Sequence, residues 1–332
     1  MHLKYNLSKK ILAWYDNNKR TLPWRVGKSS QKKLYYRLLS EFMLQQTQVK
    51  TVIPYFKRFV HTLPTLISLS KCSEKRILKL WEGLGYYRRA KNLLATAKIL
   101  VVQKNSKLPN TLEEIKKFPG VGDYTANALL GLVHNQATIA IDGNVKRVFS
   151  RIINKKETEI NFEKFILLNK KNLFNSKRNS NFVEALMEFG ALICRPKDPN
   201  CNICNLKNVC KYFSSSSKIN TSKNKIIKSL NYDVFCYINK NKQIALTKKN
   251  RLGFLEKFNL PQIKKTKNNN KKNWKFLNKY KNLISNKKLN ISVYYKFTKK
   301  IPPSFTWHSI NKNKEFIPTF TKKIFRKVST IL

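Results

Sequence analysis

The chain has 332 residues, 42% of them hydrophobic, and carries 68 Lys and Arg against 17 Asp and Glu, a formal net charge of +51. That length supports two or three domains with cores of their own. No apolar run approaches the roughly 20 residues of a membrane helix, and the opening MHLKYNLSKKILAWYDNNKR lacks the apolar stretch and small-residue cleavage site of a signal peptide, so a cytosolic location is expected. A surface this basic attracts polyanions in a salt-dependent way. A very A+T-rich genome, which crowds a chain with Lys, Asn and Ile, is a second source of the same excess.

Residues 1–212 read as helical. The N-terminus forms an amphipathic helix, and apolar residues recur every three or four positions through Leu34–Leu44, Val49–Val60, Ile77–Leu84 and Ala90–Val102. Leu63-Pro64, Leu108-Pro109 and Pro119-Gly120 punctuate them. Thr111 followed by Glu114 has capping-box spacing, so a helix is predicted over about 112–118, with another from Tyr124 to Val133. Residues 213–229, FSSSSKINTSKNKIIKS, read as a linker. Beyond it Tyr232–Ile238, Gln243–Thr247 and Ile291–Phe297 have the aromatic and β-branched content of strands. KKTKNNNKK at 264–272 reads as a solvated loop and Thr319–Ile331 as a basic helix. After residue 212 the acidic residues are Asp233, Glu256 and Glu315, so this smaller α+β region is the more basic part.

Cys72 and Cys236 stand alone and read as core residues, whereas Cys194-x6-Cys201-x2-Cys204-x5-Cys210 places four thiols within 17 residues. Such a set can close around zinc or an iron–sulfur cluster, and a compact run with a single CxxC and a wide first loop suits a cubane cluster better than a zinc ribbon. Arg195, Lys197, Lys207 and Lys211 would set a positive loop beside it, suited to phosphate contacts. Phe118-Pro119-Gly120-Val121-Gly122 lies between two predicted helices. Glycine permits the tight turn and leaves the next helix's first amides free for a phosphate, the pattern of a helix–hairpin–helix. Asp142 follows Gly122 by twenty residues. Beside a gripped nucleotide, its carboxylate can stabilise positive charge developing at the sugar C1′.

Together these motifs resemble the endonuclease III superfamily of base-excision glycosylases. Within it the chain resembles the MutY branch, the adenine DNA glycosylases, through Leu22-Pro23-Trp24-Arg25, Glu41-Phe42-Met43-Leu44-Gln45-Gln46-Thr47-Gln48-Val49 and Trp81-Glu82-Gly83-Leu84-Gly85-Tyr86-Tyr87. The resemblance covers about 1–212. It implies a mostly α catalytic unit: a six-helix barrel at about 26–135, and an iron–sulfur module of 1–25 with 136–212 holding one [4Fe–4S] cluster on Cys194, Cys201, Cys204 and Cys210. A smaller Nudix-like α+β domain at 230–332 would read the lesion. The implied partner is duplex DNA with adenine opposite 8-oxoguanine or guanine, met by a monomer in the bacterial cytoplasm and nucleoid.

By the same resemblance Glu41 is the general acid on adenine. Flanking Phe42, Met43 and Leu44 fit partial burial and a raised pKa. Asp142 stabilises or traps the oxocarbenium-like sugar, the two-carboxylate logic of glycoside hydrolysis applied to a flipped nucleotide. Tyr124 stands where bifunctional relatives carry a Schiff-base lysine, so a lyase step is not expected; Tyr124 and Asn144 are placed as hydrogen-bonding groups near the centre. Gln46 is the expected wedge, Leu84 and Tyr86 sit on the matching loop, and Arg25, Gly120 and Gly122 are assigned to DNA. In the second domain Phe258-Asn259-Leu260-Pro261 matches an aromatic-rich family segment. Ser285 matches a recognition loop whose usual Phe and His are here Ile284 and Asn286; the acidic Nudix box is absent. Two alternatives share some of these motifs: an endonuclease III-like pyrimidine glycosylase/lyase, and a DNA-binding protein that has lost catalysis.

Overall fold

A computed structural model of the chain describes residues 2–25, 29–174, 177–216, 219, 228–249, 252, 255, 258–266, 271–284, 287–310 and 316–332. The chain divides into two compact units, one of Met1–Ile77 with Tyr86–Lys223, the other of Leu78–Gly85 with Asn224–Leu332.

The helices in chain order are α1 (Leu7–Asn18), α2 (Ser30–Leu44), α3 (Val49–Thr62), α4 (Leu66–Ser70), α5 (Glu74–Leu80), α6 (Arg88–Gln103), α7 (Leu112–Lys116), α8 (Asp123–His134), α9 (Gly143–Ile153), α10 (Phe162–Leu168), α11 (Lys170–Leu173), α12 (Asn179–Leu192), α13 (Lys211–Ser214) and α14 (Thr319–Val328). Asn6, Ser29, Thr65, Thr111, Asp142 and Asn161 cap α1, α2, α4, α7, α9 and α10 by accepting a backbone N–H. The apolar face of α1, built on Leu7, Ile11, Leu12, Trp14 and Tyr15, shares a core with Val145, Val148 and Phe149 of α9 and Phe182, Leu186 and Phe189 of α12. Trp14 meets Phe189 edge-to-face at 5.2 Å. Helix α2 packs against α3, α6 and α8, and α12 packs against α1, α8 and α9. Helix α2 carries Arg37 and Glu41, and α12 carries Glu184 and Glu188.

The C-terminal sheet runs β4 (Lys275–Ile284), β5 (Lys287–Phe297), β1 (Lys228–Ile238), β2 (Gln243–Leu246), β6 (Thr306–Ser309), with β3 (Gln262–Lys265) also paired to β1. β1 and β5 are parallel, with Tyr232 opposite Ile291 and Val234 opposite Val293. On one face Val234, Cys236, Ile238, Ile291 and Val293 form a core with Phe320, Ile324, Phe325 and Val328 of α14. On the other face Trp274 lies edge-on to Phe235 and Tyr237, with Lys296 over its ring.

Several boundaries differ from the sequence reading. The helix expected over Ile77–Leu84 ends at Leu80, because Gly83 (φ 101°) and Gly85 (φ 75°) turn the chain where helical φ is lost. Lys264 and Lys265, expected in a loop, lie in β3; residues 267–270 of that stretch are outside the described residues. β4 and β6 are additional strands, held by β5 and β2. Among the described residues no helix is long and apolar enough to cross a membrane.

Candidate active site

Glu41 sits in the last turn of α2 at 5% exposure, and its Oε2 has no hydrogen-bond partner. Burial pushes the carboxyl up to about 7; Arg37 opposes this, Glu184 and Asp142 reinforce it, and the Tyr124 phenol is a hydrogen-bonding neighbour that pulls it down. Burial also raises the Tyr124 phenol, with Glu41 and Asp142 adding to the shift. Tyr124 also reaches Met187 Sδ at 3.5 Å. Glu41, Tyr124 and Asp142, far apart in sequence, are thus brought within one electrostatic neighbourhood.

A buried ionic lattice stands behind them. Glu184 pairs with Arg37 and with Arg25 Nε at 3.1 Å, and accepts from the Tyr15 hydroxyl. One turn along α12, Glu188 pairs with Arg20 and with Arg25 Nη1 at 2.6 Å. The i,i+4 spacing puts both acids on one face of α12, and shared guanidinium forks satisfy charges that would be costly alone. Arg25, assigned from sequence to DNA, is held in this lattice with its side chain 15% exposed.

Asp142 caps α9. Its Oδ1 accepts from Val145 N at 2.7 Å and its Oδ2 from Asn144 Nδ2 at 2.8 Å. Asn144 Oδ1 in turn accepts from Arg147 Nη2 at 2.8 Å, and Arg147 Nε donates to the Cys194 carbonyl at 2.8 Å. A Cβ on Gly190 would sit 2.8 Å from Asn144 Cβ, so only glycine lets α12 pass this close.

The hairpin lies between α7 and α8. Gly120 has φ 77°, and a Cβ there would meet Asn92 Nδ2 at 2.4 Å. Gly122 is the N-cap of α8; no side chain caps that helix, and open space surrounds the position. Its first amides suit an anion. Gln46 follows α2 with φ 55° and is exposed; Tyr86, φ 49°, is 40% exposed, while Leu84 is buried. Ser285 and Asn286 lie outside the described residues.

The four clustered cysteines are unpaired thiols; burial raises Cys194, Cys204 and Cys210, Cys201 adds to the shift in all three, and Cys194 adds to it in Cys204 and Cys210. Arg151 Nη1 donates to Cys194 Sγ at 3.5 Å. Among the described residues no three His, Cys, Asp or Glu converge on a single-ion site. The four thiols, with the buried Arg151 guanidinium beside Cys194, are a donor set that suits an anionic cluster held on thiolates.

Residues 39–169 match the HhH-GPD superfamily base excision DNA repair protein family. Over 96% of its length the chain is 37% identical to the adenine DNA glycosylase of Buchnera aphidicola subsp. Baizongia pistaciae (strain Bp), covering 95% of that protein. The chain belongs to the adenine DNA glycosylase family. It is a DNA glycosylase of base excision repair, a hydrolase acting on N-glycosyl bonds. A second Buchnera aphidicola relative, from subsp. Schizaphis graminum (strain Sg), is 34% identical over 92% of the chain and 86% of its own length. The human adenine DNA glycosylase is 37% identical over 60% of this chain and 38% of its own. In fold the chain is similar to a thermostable thymine-DNA glycosylase (TM-score 0.54, 24% identity, 62% of this chain and 94% of that one). It is also similar to endonuclease III in a non-covalent complex with DNA (0.50, 20%, 62% and 93%).

Within this glycosylase, sequence reasoning passed over Arg37, Glu184, Glu188 and Arg89. Arg89 Nη1 donates to the carbonyls of Phe42, Met43 and Gln45 at 3.1, 2.7 and 2.6 Å and so closes the end of α2 ahead of Gln46. An Arg in a helical stretch of a chain this basic carries no mark of burial; the acids at 184 and 188, spaced i,i+4 in an otherwise apolar α12, are the one available signal.

Proposed function

We propose that the glycosylase removes adenine mispaired with 8-oxoguanine or guanine and is monofunctional. The observation that carries the reading is Glu41: a buried carboxyl with an unpartnered oxygen, pushed up to about 7, so that a large share of molecules hold its proton at neutral pH and can still release it. The Glu41 O–H gives its proton to a ring nitrogen of the flipped adenine. The bond from C1′ to the base breaks, and its electron pair leaves with the now neutral base. Asp142, fixed by Val145 N and Asn144, faces the positive C1′. Water then adds to C1′ and returns a proton to the carboxylate pair. Tyr124 offers a phenol where a lyase needs an amine, which supports hydrolysis without strand cleavage.

DNA is held at the open head of α8 by Gly120 and Gly122, with Gln46 and Tyr86 at the exposed turns. Cys194, Cys201, Cys204 and Cys210 hold one [4Fe–4S] cluster, which when bound cross-links the chain between α12 and α13. The sheet domain is Nudix-like and reads the opposite base.

Single-turnover base release from duplexes with A opposite 8-oxoguanine, G or T, with and without alkali, tests this. Alkali-dependent cleavage opposite 8-oxoguanine and G, but not T, is expected. Cleavage without alkali, or none by cluster-loaded protein, overturns it.

A further inference from the structure

We propose that Arg37 is a positioning residue that sets the pH range over which Glu41 works. The inference rests on reading Glu41 as the proton donor. Arg37 precedes Glu41 by one turn of α2, and i,i+4 spacing projects both side chains from one helix face. Its guanidinium is buried and paired with Glu184 of α12. The groups bearing on Glu41 come from every side: Glu184 from α12, Tyr124 from α8, Asp142 from the head of α9, and Arg37 from α2 itself. Two are acids that oppose ionisation, one is a neutral phenol, and Arg37 supplies the positive charge. Behind Glu184, Arg25 is shared with Glu188, and Lys33 also senses Glu184 and Arg37.

Arg37 therefore acts on the acid in two ways of the same sign. Its own charge favours the Glu41 carboxylate, and its pairing with Glu184 mutes a neighbour that disfavours it. A buried carboxyl without such a cation keeps its proton to higher pH but surrenders it less readily, whereas efficient general acids are matched to the working pH. Arg37 is in this reading the counterweight to burial.

The test is the pH profile of single-turnover adenine release from a duplex with A opposite 8-oxoguanine, for wild type, Arg37→Met, Arg37→Lys and Glu41→Gln. In Arg37→Met the alkaline limb is expected to move up by about one unit, the low end of what a nearby charge does to a carboxyl. The plateau rate falls at the same time, as it does for a weaker acid. Arg37→Lys, which keeps the charge, holds the midpoint near wild type. A uniform fall with an unmoved midpoint in Arg37→Met overturns the proposal, as does a lysine variant that shifts like methionine. Should Arg37→Met fail to fold, Arg37→Gln carries the same expectation. Glu41→Gln separates the two readings. If it flattens the limb while the Arg37 variants leave the midpoint in place, only the role of Arg37 fails; if it retains the wild-type limb, the limb belongs to another group and the acid assignment itself fails.

Discussion

The two units bury charge very differently. In the helical unit Arg37, Glu41, Arg89, Arg147, Arg151, Glu184 and Glu188 are all buried. In the sheet unit the buried charge among the described residues is Asp233, paired with Lys271 at 3.1 Å, while lysines such as Lys264 and Lys296 lie over aromatic rings. Buried ion pairs are poor sources of stability, because desolvation offsets most of their attraction. A unit that concentrates them is shaped by chemistry. The sheet unit reaches a packed state by ordinary means, with β-branched and aromatic residues alternating across a pleat and α14 covering one side.

That contrast can be broken most sharply at Asp142. Asp142→Asn is expected to lower base release by roughly 10³-fold or more, the scale of removing a preorganised charge from a transition state, with duplex affinity in gel-shift titrations little changed. Glu41→Gln should slow release by about 10²–10⁴-fold and also stabilise the protein at alkaline pH. Burial raises the folded carboxyl from its ordinary 4.5 to about 7, so the native state binds the extra proton in that window and loses stability as pH rises through it. The variant's gain in unfolding free energy should be near zero at pH 4 and grow to at most about 3 kcal/mol by pH 8. Equal gains at both pH values would remove Glu41 as the source.

Gly190→Ala is expected to cost about 1–3 kcal/mol in denaturant unfolding, since α12 must move away from Asn144. It should also slow turnover, because Asn144 holds Asp142; unchanged kinetics would mean the helix relaxes elsewhere. The smallest effect on catalysis belongs to the sheet unit. Lys271 is partly exposed but its partner Asp233 is buried, so Lys271→Met should cost about 1–3 kcal/mol in unfolding, as a buried charge loses its cation, and leave base-release rates unaltered.

Periodicity placed α2, α3, α6 and α8 to within a few residues, since a stripe every three or four positions needs only local geometry. The proline–glycine hairpin, the aspartate that caps α9 and the four-cysteine spacing were legible because each depends on residue type at fixed offsets. β4 and β6 were not: in KFLNKYKNLI and TWHS lysine, asparagine and serine dilute the alternation, and the strands exist because β5 and β2 offer backbone partners. The burial of Glu41, the lattice of Arg20, Arg25, Arg37, Glu184 and Glu188, and the run from Asp142 through Asn144 and Arg147 to the Cys194 carbonyl were decided only in three dimensions. Desolvation and charge pairing depend on which helix faces meet, and residues 147 (Arg37 and Glu184) to 169 (Tyr15 and Glu184) positions apart in the chain meet at α1, α2 and α12 only when the fold has closed.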